Sequence, residues 1–241
     1  MKSYCQTDVG RKRNMNQDFV YASEQPIGML PNLFIVADGM GGHNAGDYAS
    51  RCAVETMVDY IENSMEKKPV RLLAGAVEAA NTAICRKASE DRSMAGMGTT
   101  LVACCVDRDC LYVVNIGDSR LYLIDEEMDQ ITRDHSLVEE MVQRGELTSE
   151  QARTHPEKNV ITRAVGVKNS LKPDFFDVGL HPGDRVLLCS DGLTNMVEDA
   201  VIKQLVRQGP DLEQAGRSLI DTANENGGSD NISVILLEPE I

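Results

Sequence analysis

Four aspartates far apart in this chain, Asp38, Asp118, Asp191 and Asp230, each adjoin an apolar run of strand length and each sit beside glycine, serine or asparagine. Leu33-Phe34-Ile35-Val36-Ala37 runs into Asp38-Gly39, and Leu111 to Gly117 runs into Asp118. Val186 to Ser190 leads to Asp191-Gly192, while Asp230-Asn231 precedes Ile232 to Leu237. Strand ends that carry carboxylates can be gathered at one place only if something offsets their mutual repulsion and desolvation, and a cation does both. A fold that brings several strand ends together around a metal site is the first expectation.

The spacing of the other apolar residues supplies the rest of the fold. Strands are predicted at Ser3 to Thr7, Phe19 to Ser23, Leu33 to Ala37, Thr99 to Val106, Leu111 to Ile116, Arg120 to Ile124, Gln130 to Thr132, Asp174 to Leu180, Arg185 to Cys189 and Ile232 to Leu237. Two helical stripes lie early, Ala53, Val54, Met57, Val58, Ile61 and then Leu73, Ala76, Val77, Ala80, Ala83, Ile84. Ser136 to Arg144, Glu198 to Gln208 and Asp211 to Ala223 complete the helices. Short links between the central strands favour antiparallel pairing, since a parallel crossover needs a dozen residues or more. Strands clustered between pairs of helices indicate an α+β fold of two antiparallel sheets with helices outside. The polar stretch from about 145 to 166 reads as a surface excursion.

The 241 residues, 42% of them apolar, fit one large domain, and no linker or repeat divides them. No apolar stretch approaches the ~20 residues of a membrane helix, and Met1 to Gln6 lacks the apolar core of a signal peptide. A cytoplasmic protein with no membrane partner is expected. Seven cysteines, none in a C-x-x-C pair, suggest small buried hydrophobes and not a disulfide or zinc framework. With 38 Asp and Glu against 24 Lys and Arg, and only 4% aromatics, nucleic acid is disfavoured as a partner.

Within that acidic chain, Arg11-Lys12-Arg13 forms a basic cluster. An arginine fork grips phosphate through two hydrogen bonds, which next to a carboxylate metal site points to phosphate chemistry. Gly39, Gly41 and Gly42 leave the backbone after Asp38 open to an ion or phosphate. If the pleat holds, Asp38 shares a face with Phe34 and Val36. A dinucleotide fingerprint at Gly39-Met40-Gly41 fails, because Asn44 stands where a third glycine is required and no parallel sheet is indicated. Cys5 to Arg11 matches the C-x5-R loop of cysteine-dependent phosphatases, but Asp8 inside it would repel phosphate and no helix is predicted to follow.

The motifs taken together resemble the metal-dependent type 2C protein serine/threonine phosphatases of the compact bacterial kind. The stretch Asp8 to Asp18 is similar to D-x-G-x-x-R-x-x-N-Q-D, Asp38 opens D-G-x-G-G, and Gly117-Asp118-Ser119-Arg120, Ser190-Asp191-Gly192-Leu193 and Asp230-Asn231-Ile232-Ser233 follow in order. The resemblance implies a four-layer β-sandwich of two antiparallel sheets flanked by antiparallel helix pairs, with a flap near 136–166. It implies phosphoserine and phosphothreonine hydrolysis by a metal-bridged hydroxide, on phosphorylated proteins that include a serine/threonine kinase and its targets. Asp38 would bridge two Mn²⁺ or Mg²⁺ ions, with the Gly39 carbonyl on one and Asp191 and Asp230 on the other. Asp118 with Asp191 would hold a weaker third ion, Arg13 would bind the phosphate, and Asp18 and Asn231 would lie just outside the ions. An all-oxygen ligand set agrees with hard cations and not zinc.

Eukaryotic relatives often carry a histidine general acid after the Asp-Gly pair. Here that position is Met40, as is usual in the bacterial branch. His43 is near in sequence but reads more simply as structural, leaving a metal-bound water as the acid. A regulator without turnover would have no need of the metal aspartates or Arg13, all of which are kept. A two-metal nuclease is disfavoured by the charge balance.

Overall fold

In the computed structural model, residues 1–42 and 45–241 are described. His43 and Asn44, weighed above as acid and fingerprint positions, lie outside the described residues. The chain begins with strands β1 (Lys2–Asp8), β2 (Asp18–Ser23) and β3 (Leu33–Met40), then helices α1 (Ala45–Asn63) and α2 (Pro69–Glu90). After a 3-10 turn come β4 (Gly98–Thr99), β5 (Leu101–Asp107), β6 (Cys110–Ile116), β7 (Arg120–Ile124) and β8 (Met128–Gln130). Helices α3 (Leu137–Gln143) and α4 (Ser149–Thr154) lead to β9 (Asp174–Gly179) and β10 (Arg185–Cys189). The chain closes with α5 (Asp191–Thr194), α6 (Asp199–Gln208), α7 (Leu212–Glu225) and β11 (Ile232–Glu238).

All strand pairs are antiparallel. One sheet runs β1-β11-β10-β7-β8, the other β2-β3-β5-β6-β9 with β4 paired to β3. The period-2 alternation of the strands sorts their apolar side chains into separate layers. Phe34 and Val36 of β3 meet Val186, Leu188, Ile235 and Leu237 between the sheets. Leu33, Ile35 and Ala37 face the other way, against the α1 and α2 stripes at Ala53, Met57, Leu73 and Val77. Leu187, Cys189, Val234 and Leu236 face Ile202, Val206, Leu219 and Ile220 of α6 and α7. Three apolar layers therefore separate four structural ones, the α+β sandwich expected from the sequence.

Three details differ from the sequence expectation. β3 does not stop at Ala37, because Gly39 and Met40 pair with Thr99 and Gly98 of the two-residue β4. The short strand expected at Gln130 to Thr132 lies instead at Met128–Gln130. Past it, the Ile131 and Thr132 amides both turn to the Leu121 carbonyl. The cysteines are free, yet only Cys104, Cys105 and Cys189 are buried. The excursion contains α4, entered through a capping box in which Thr148 and Gln151 exchange hydrogen bonds. Among the described residues no helix is long and apolar enough to cross a membrane.

Candidate active site

The four aspartates meet at one end of the inter-sheet layer. Asp38 lies near the end of β3, on the face of Phe34 and Val36, as the pleat required. Asp191 follows β10 at the start of α5, Asp230 precedes β11, and Asp118 occupies the turn between β6 and β7. Antiparallel pairing makes these the same end of the sandwich, because strands leaving and strands entering alternate there. Asp38, Asp118, Asp191 and Asp230 line one cavity of about 270 Å³ together with Arg13, Gly39 and Thr100. Asn159 and Ile161, from the excursion after β8, border the same cavity.

Each acid is held by its own scaffold. The Asp38 amide donates to Thr100 Oγ1 at 3.0 Å, and its carbonyl accepts from the Thr100 amide and Thr99 Oγ1, each at 2.9 Å. Thr100 Oγ1 is in turn 2.7 Å from Ser119 Oγ, which ties the β3 end to the Asp118 turn. Asp191 Oδ2 accepts from Asn195 Nδ2 at 2.9 Å. The close approach of α5 to β11 requires glycine after Asp191, since a Cβ on Gly192 would lie 1.9 Å from the Asn231 carbonyl oxygen. Gly39 is confined in the same way, with a Cβ falling 2.1 Å from the Gly46 carbonyl oxygen.

Asp18 sits directly across from Asp38 in the β2–β3 register. Its Oδ2 accepts from Ser190 Oγ at 2.8 Å and Ser233 Oγ at 2.7 Å. Asn231 fastens the basic loop: its Nδ2 donates to the Val9 and Met15 carbonyls, both at 2.9 Å, and its Oδ1 accepts from the Gln17 amide at 2.8 Å. That loop carries Arg13, half exposed, whose Nη2 lies 2.7 Å from Asp230 Oδ2. Arg11 and Lys12 are exposed on the same loop.

Electrostatic frustration is concentrated here. Burial, and then the charges of Asp18, Asp191, Asp118 and Asp230, hold the Asp38 carboxyl well above the usual carboxylate range. Burial followed by Asp191 and Asp134 does the same to Asp118. The Asp191 carboxyl is pushed up to about 6 by burial and by Asp230, against an opposing hydrogen bond with Asp38. Asp18 is pushed up to about 7, chiefly by burial, despite its two serine donors. Arg120 brings little relief, because it is held on Asp134 through a fork at 2.7 to 3.1 Å.

Among the described residues no three acidic, histidine or cysteine side chains already form one closed metal cluster. Asp38, Asp118, Asp191 and Asp230 instead surround a shared space, where the buried Asp191 Oδ1 has no hydrogen-bond partner; Asp18 Oδ1, outside the cavity lining, is likewise buried and unpartnered. Carboxylates around a polar cavity, one of their oxygens unsatisfied and no nitrogen or sulfur ligand among them, fit hard divalent cations. The thiol alternative finds no support: Cys5 lies within β1, desolvation pushes its thiol up where a nucleophile needs it lowered, and no helix follows Arg11.

All eight residues singled out in the sequence lie at this end of the sandwich. Thr100, Ser119, Ser190 and Ser233, which orient the acids, were not singled out. Ser119, Ser190 and Ser233 belong to the same short motifs and could have been noticed there. Thr100 stands in an ordinary strand start and carries no such signal. A second cavity of about 420 Å³ shares Asp118 and Asp191 with the first and extends along α3 and α4, where Arg133, Arg153 and Lys158 line it.

A profile described as Protein phosphatase 2C matches residues 6–236. Protein phosphatase PhpP of Streptococcus pneumoniae is 42% identical over 241 residues, spanning 96% of this chain and 94% of that one. The crystal structure of serine/threonine phosphatase Stp1 from Staphylococcus aureus superposes with a TM-score of 0.93 at 34% identity, covering 100% of this chain and 95% of that one. The catalytic domain of serine threonine protein phosphatase PstP, in complex with 2 manganese ions, superposes at 0.87 with 34% identity, covering 98% and 96%.

Proposed function

This chain belongs to the protein phosphatase 2C family and is a serine/threonine protein phosphatase, and from that premise we propose how its own residues perform the hydrolysis. Asp38, the Gly39 carbonyl, Asp191 and Asp230 would hold two Mn²⁺ or Mg²⁺ ions, and Asp118 with Asp191 a weaker third. Bound there, such ions supply an activated water and positive charge opposite the phosphoryl oxygens.

The chain's own part is placement. Thr99 and Thr100 fix the Asp38 backbone through three hydrogen bonds, so the central acid needs no reorganisation when charge changes around it. Asn231 holds the basic loop at three backbone positions and thereby sets Arg13 at the cavity edge. Arg13, paired with Asp230 in this structure, is the fork that receives the substrate phosphate. Ser190 and Ser233 orient Asp18 behind Asp38, a position from which its free Oδ1 can order water at the site. Met40 beside the cavity has no proton to give, so no side chain at that position serves as acid.

The segment near 136–166 acts as a flap, since Asn159 and Ile161 border the cavity. The adjoining 420 Å³ space gives a polypeptide room beyond its phosphorylated residue. A serine/threonine kinase and the proteins it modifies are the proposed substrates. The observation that carries this reading is the convergence of carboxylates from separate strands on one cavity with Arg13 at its rim. Hydrolysis of a phosphothreonine peptide with Mn²⁺, with chelator, and by Asp38→Asn tests it. Activity should require the metal and vanish in the variant; metal-independent turnover would overturn it.

A further inference from the structure

His135 takes no part in the site as described, yet it is among the most heavily engaged side chains near it. It is 4% exposed and lies between β8 and α3. Its amide donates to the Gly117 carbonyl at 2.9 Å, and its Nδ1 accepts from the Gly117 amide at 3.1 Å. Residue 117 is therefore clasped at both of its backbone polar groups by one histidine. On its other side the His135 carbonyl accepts from the Thr162 amide at 2.7 Å, and the bridge between Ser136 and Ile161 follows immediately.

The imidazole is neutral and its tautomer is determined by these contacts. A ring nitrogen that accepts from an amide carries no proton, so the Gly117 amide places the proton on Nε2, which lies 3.0 Å from the acceptor Asp174 Oδ2 and 3.1 Å from Arg163 Nη1. Burial lowers the affinity of His135 for a second proton, which preserves the Nδ1 acceptor. Arg163 Nη1 donates to the other Asp174 oxygen at 2.9 Å and to the Lys172 carbonyl at 3.2 Å, anchoring the end of the excursion to the start of β9.

The clasped turn is one that needs external support. Gly117 has φ +102°, outside the range comfortable for other residues, and a Cβ there would lie 2.6 Å from Thr100 Cβ. Thr100 supports the turn from the Asp38 side and His135 from the flap side. Asp118 is the next residue.

We propose that His135 is a positioning residue that, through its Nδ1 acceptor, fixes the Gly117-Asp118 turn and, through its carbonyl, joins that turn to the segment carrying Ile161 over the cavity. The stance of Asp118 and the seating of the flap are thereby one mechanical unit. The consequence for metal binding rests on the reading of Asp118 as an ion ligand, but the positioning itself does not.

Two isosteric halves of the imidazole separate this role from a plain core contribution. Asparagine places an acceptor where Nδ1 stood and abandons Asp174; glutamine reaches Asp174 and abandons the Gly117 amide. In the metal-free protein, exchange of the Gly117 amide should be as slow in His135→Asn as in wild type and at least tenfold faster in His135→Gln, whatever the two do to thermal stability. The Mn²⁺ concentration for half-maximal phosphopeptide hydrolysis should rise about tenfold in His135→Gln and stay near wild type in His135→Asn. Asp174→Asn, which leaves the Nδ1 side intact, should behave like wild type in both assays. If exchange and Mn²⁺ dependence simply follow stability, with the Asn and Gln variants alike, the proposal is overturned. If exchange divides the variants as expected and Mn²⁺ dependence does not, the positioning role stands and the assignment of an ion to Asp118 falls.

Discussion

Replacing Asp191 by asparagine should stabilise the metal-free protein while crippling the enzyme. The folded chain raises the Asp191 carboxyl from 3.8 to about 6, through burial first and Asp230 second. A carboxyl raised on folding favours the native state while protonated, so its contribution is complete below pH ~4 and is lost as pH climbs through about 6. The loss amounts to about 3 kcal/mol by pH 7.5. Asparagine carries no charge, can still accept from Asn195 Nδ2, and relieves Asp38 and Asp230 of a repulsive neighbour. In chelator at pH 7.5 the variant should therefore exceed wild type by about 3 kcal/mol in urea unfolding, or roughly 6–12 °C in Tm for a chain of this length. At pH 4 the two should coincide. Mn²⁺ at a thousand times Kd should reverse the order, since it adds about 4.1 kcal/mol to the protein that can still bind it, more than the variant's advantage of about 3 kcal/mol. A variant less stable than wild type in chelator at pH 7.5, or a difference that does not change with pH, would refute the claim that these acids are mutually frustrated.

Arg13→Ala should lower kcat/KM for a phosphothreonine peptide roughly 10- to 150-fold, the worth of hydrogen bonds to a charged group, and Arg13→Lys should recover only part of it because the planar fork is lost. Asp118→Asn should reduce turnover roughly 10- to 100-fold while the tight Mn²⁺ sites, measured by calorimetry, remain filled. Gly192→Ala should cost at least about 1–3 kcal/mol in urea unfolding, because its Cβ would fall 1.9 Å from the Asn231 carbonyl oxygen. Gly179→Ala, where the added carbon meets nothing within 4 Å, should stay within about 0.5 kcal/mol.

Much of this architecture was legible because strand and acid share the same few residues. A continuous apolar run ending in Asp-Gly marks a strand that leaves the core at that point, and Asp-Asn just before such a run marks one that enters it, so β3, β10 and β11 could be located together with Asp38, Asp191 and Asp230. What escaped notice depends on partners remote in sequence. β4 has two residues and no apolar run, and is held by the edge that Gly39 and Met40 offer it and by the bridge between Thr99 and Val165. Asp18 acquires its setting from Ser190, 172 positions away, and Ser233, 215 positions away. The capping box at Thr148 and Gln151 was a local signal that could have located α4. His135 is a lone histidine in a polar stretch, and nothing in its neighbours indicates that it clasps Gly117.

The central claim is that these buried acids are a site completed by divalent cations, and titration of Mn²⁺ into the metal-free protein tests it most directly. Run at pH 6.5 in two buffers of different ionisation enthalpy, calorimetry reports both the ions taken up and the protons released. With the Asp38 carboxyl held well above its usual range and Asp191 near 6, wild type should bind at least two ions and expel protons as it does so. Asp38→Asn should lose that tight binding and the proton release with it. Undiminished Mn²⁺ uptake by Asp38→Asn, or none by a wild-type protein that still hydrolyses phosphothreonine peptides, would contradict the account.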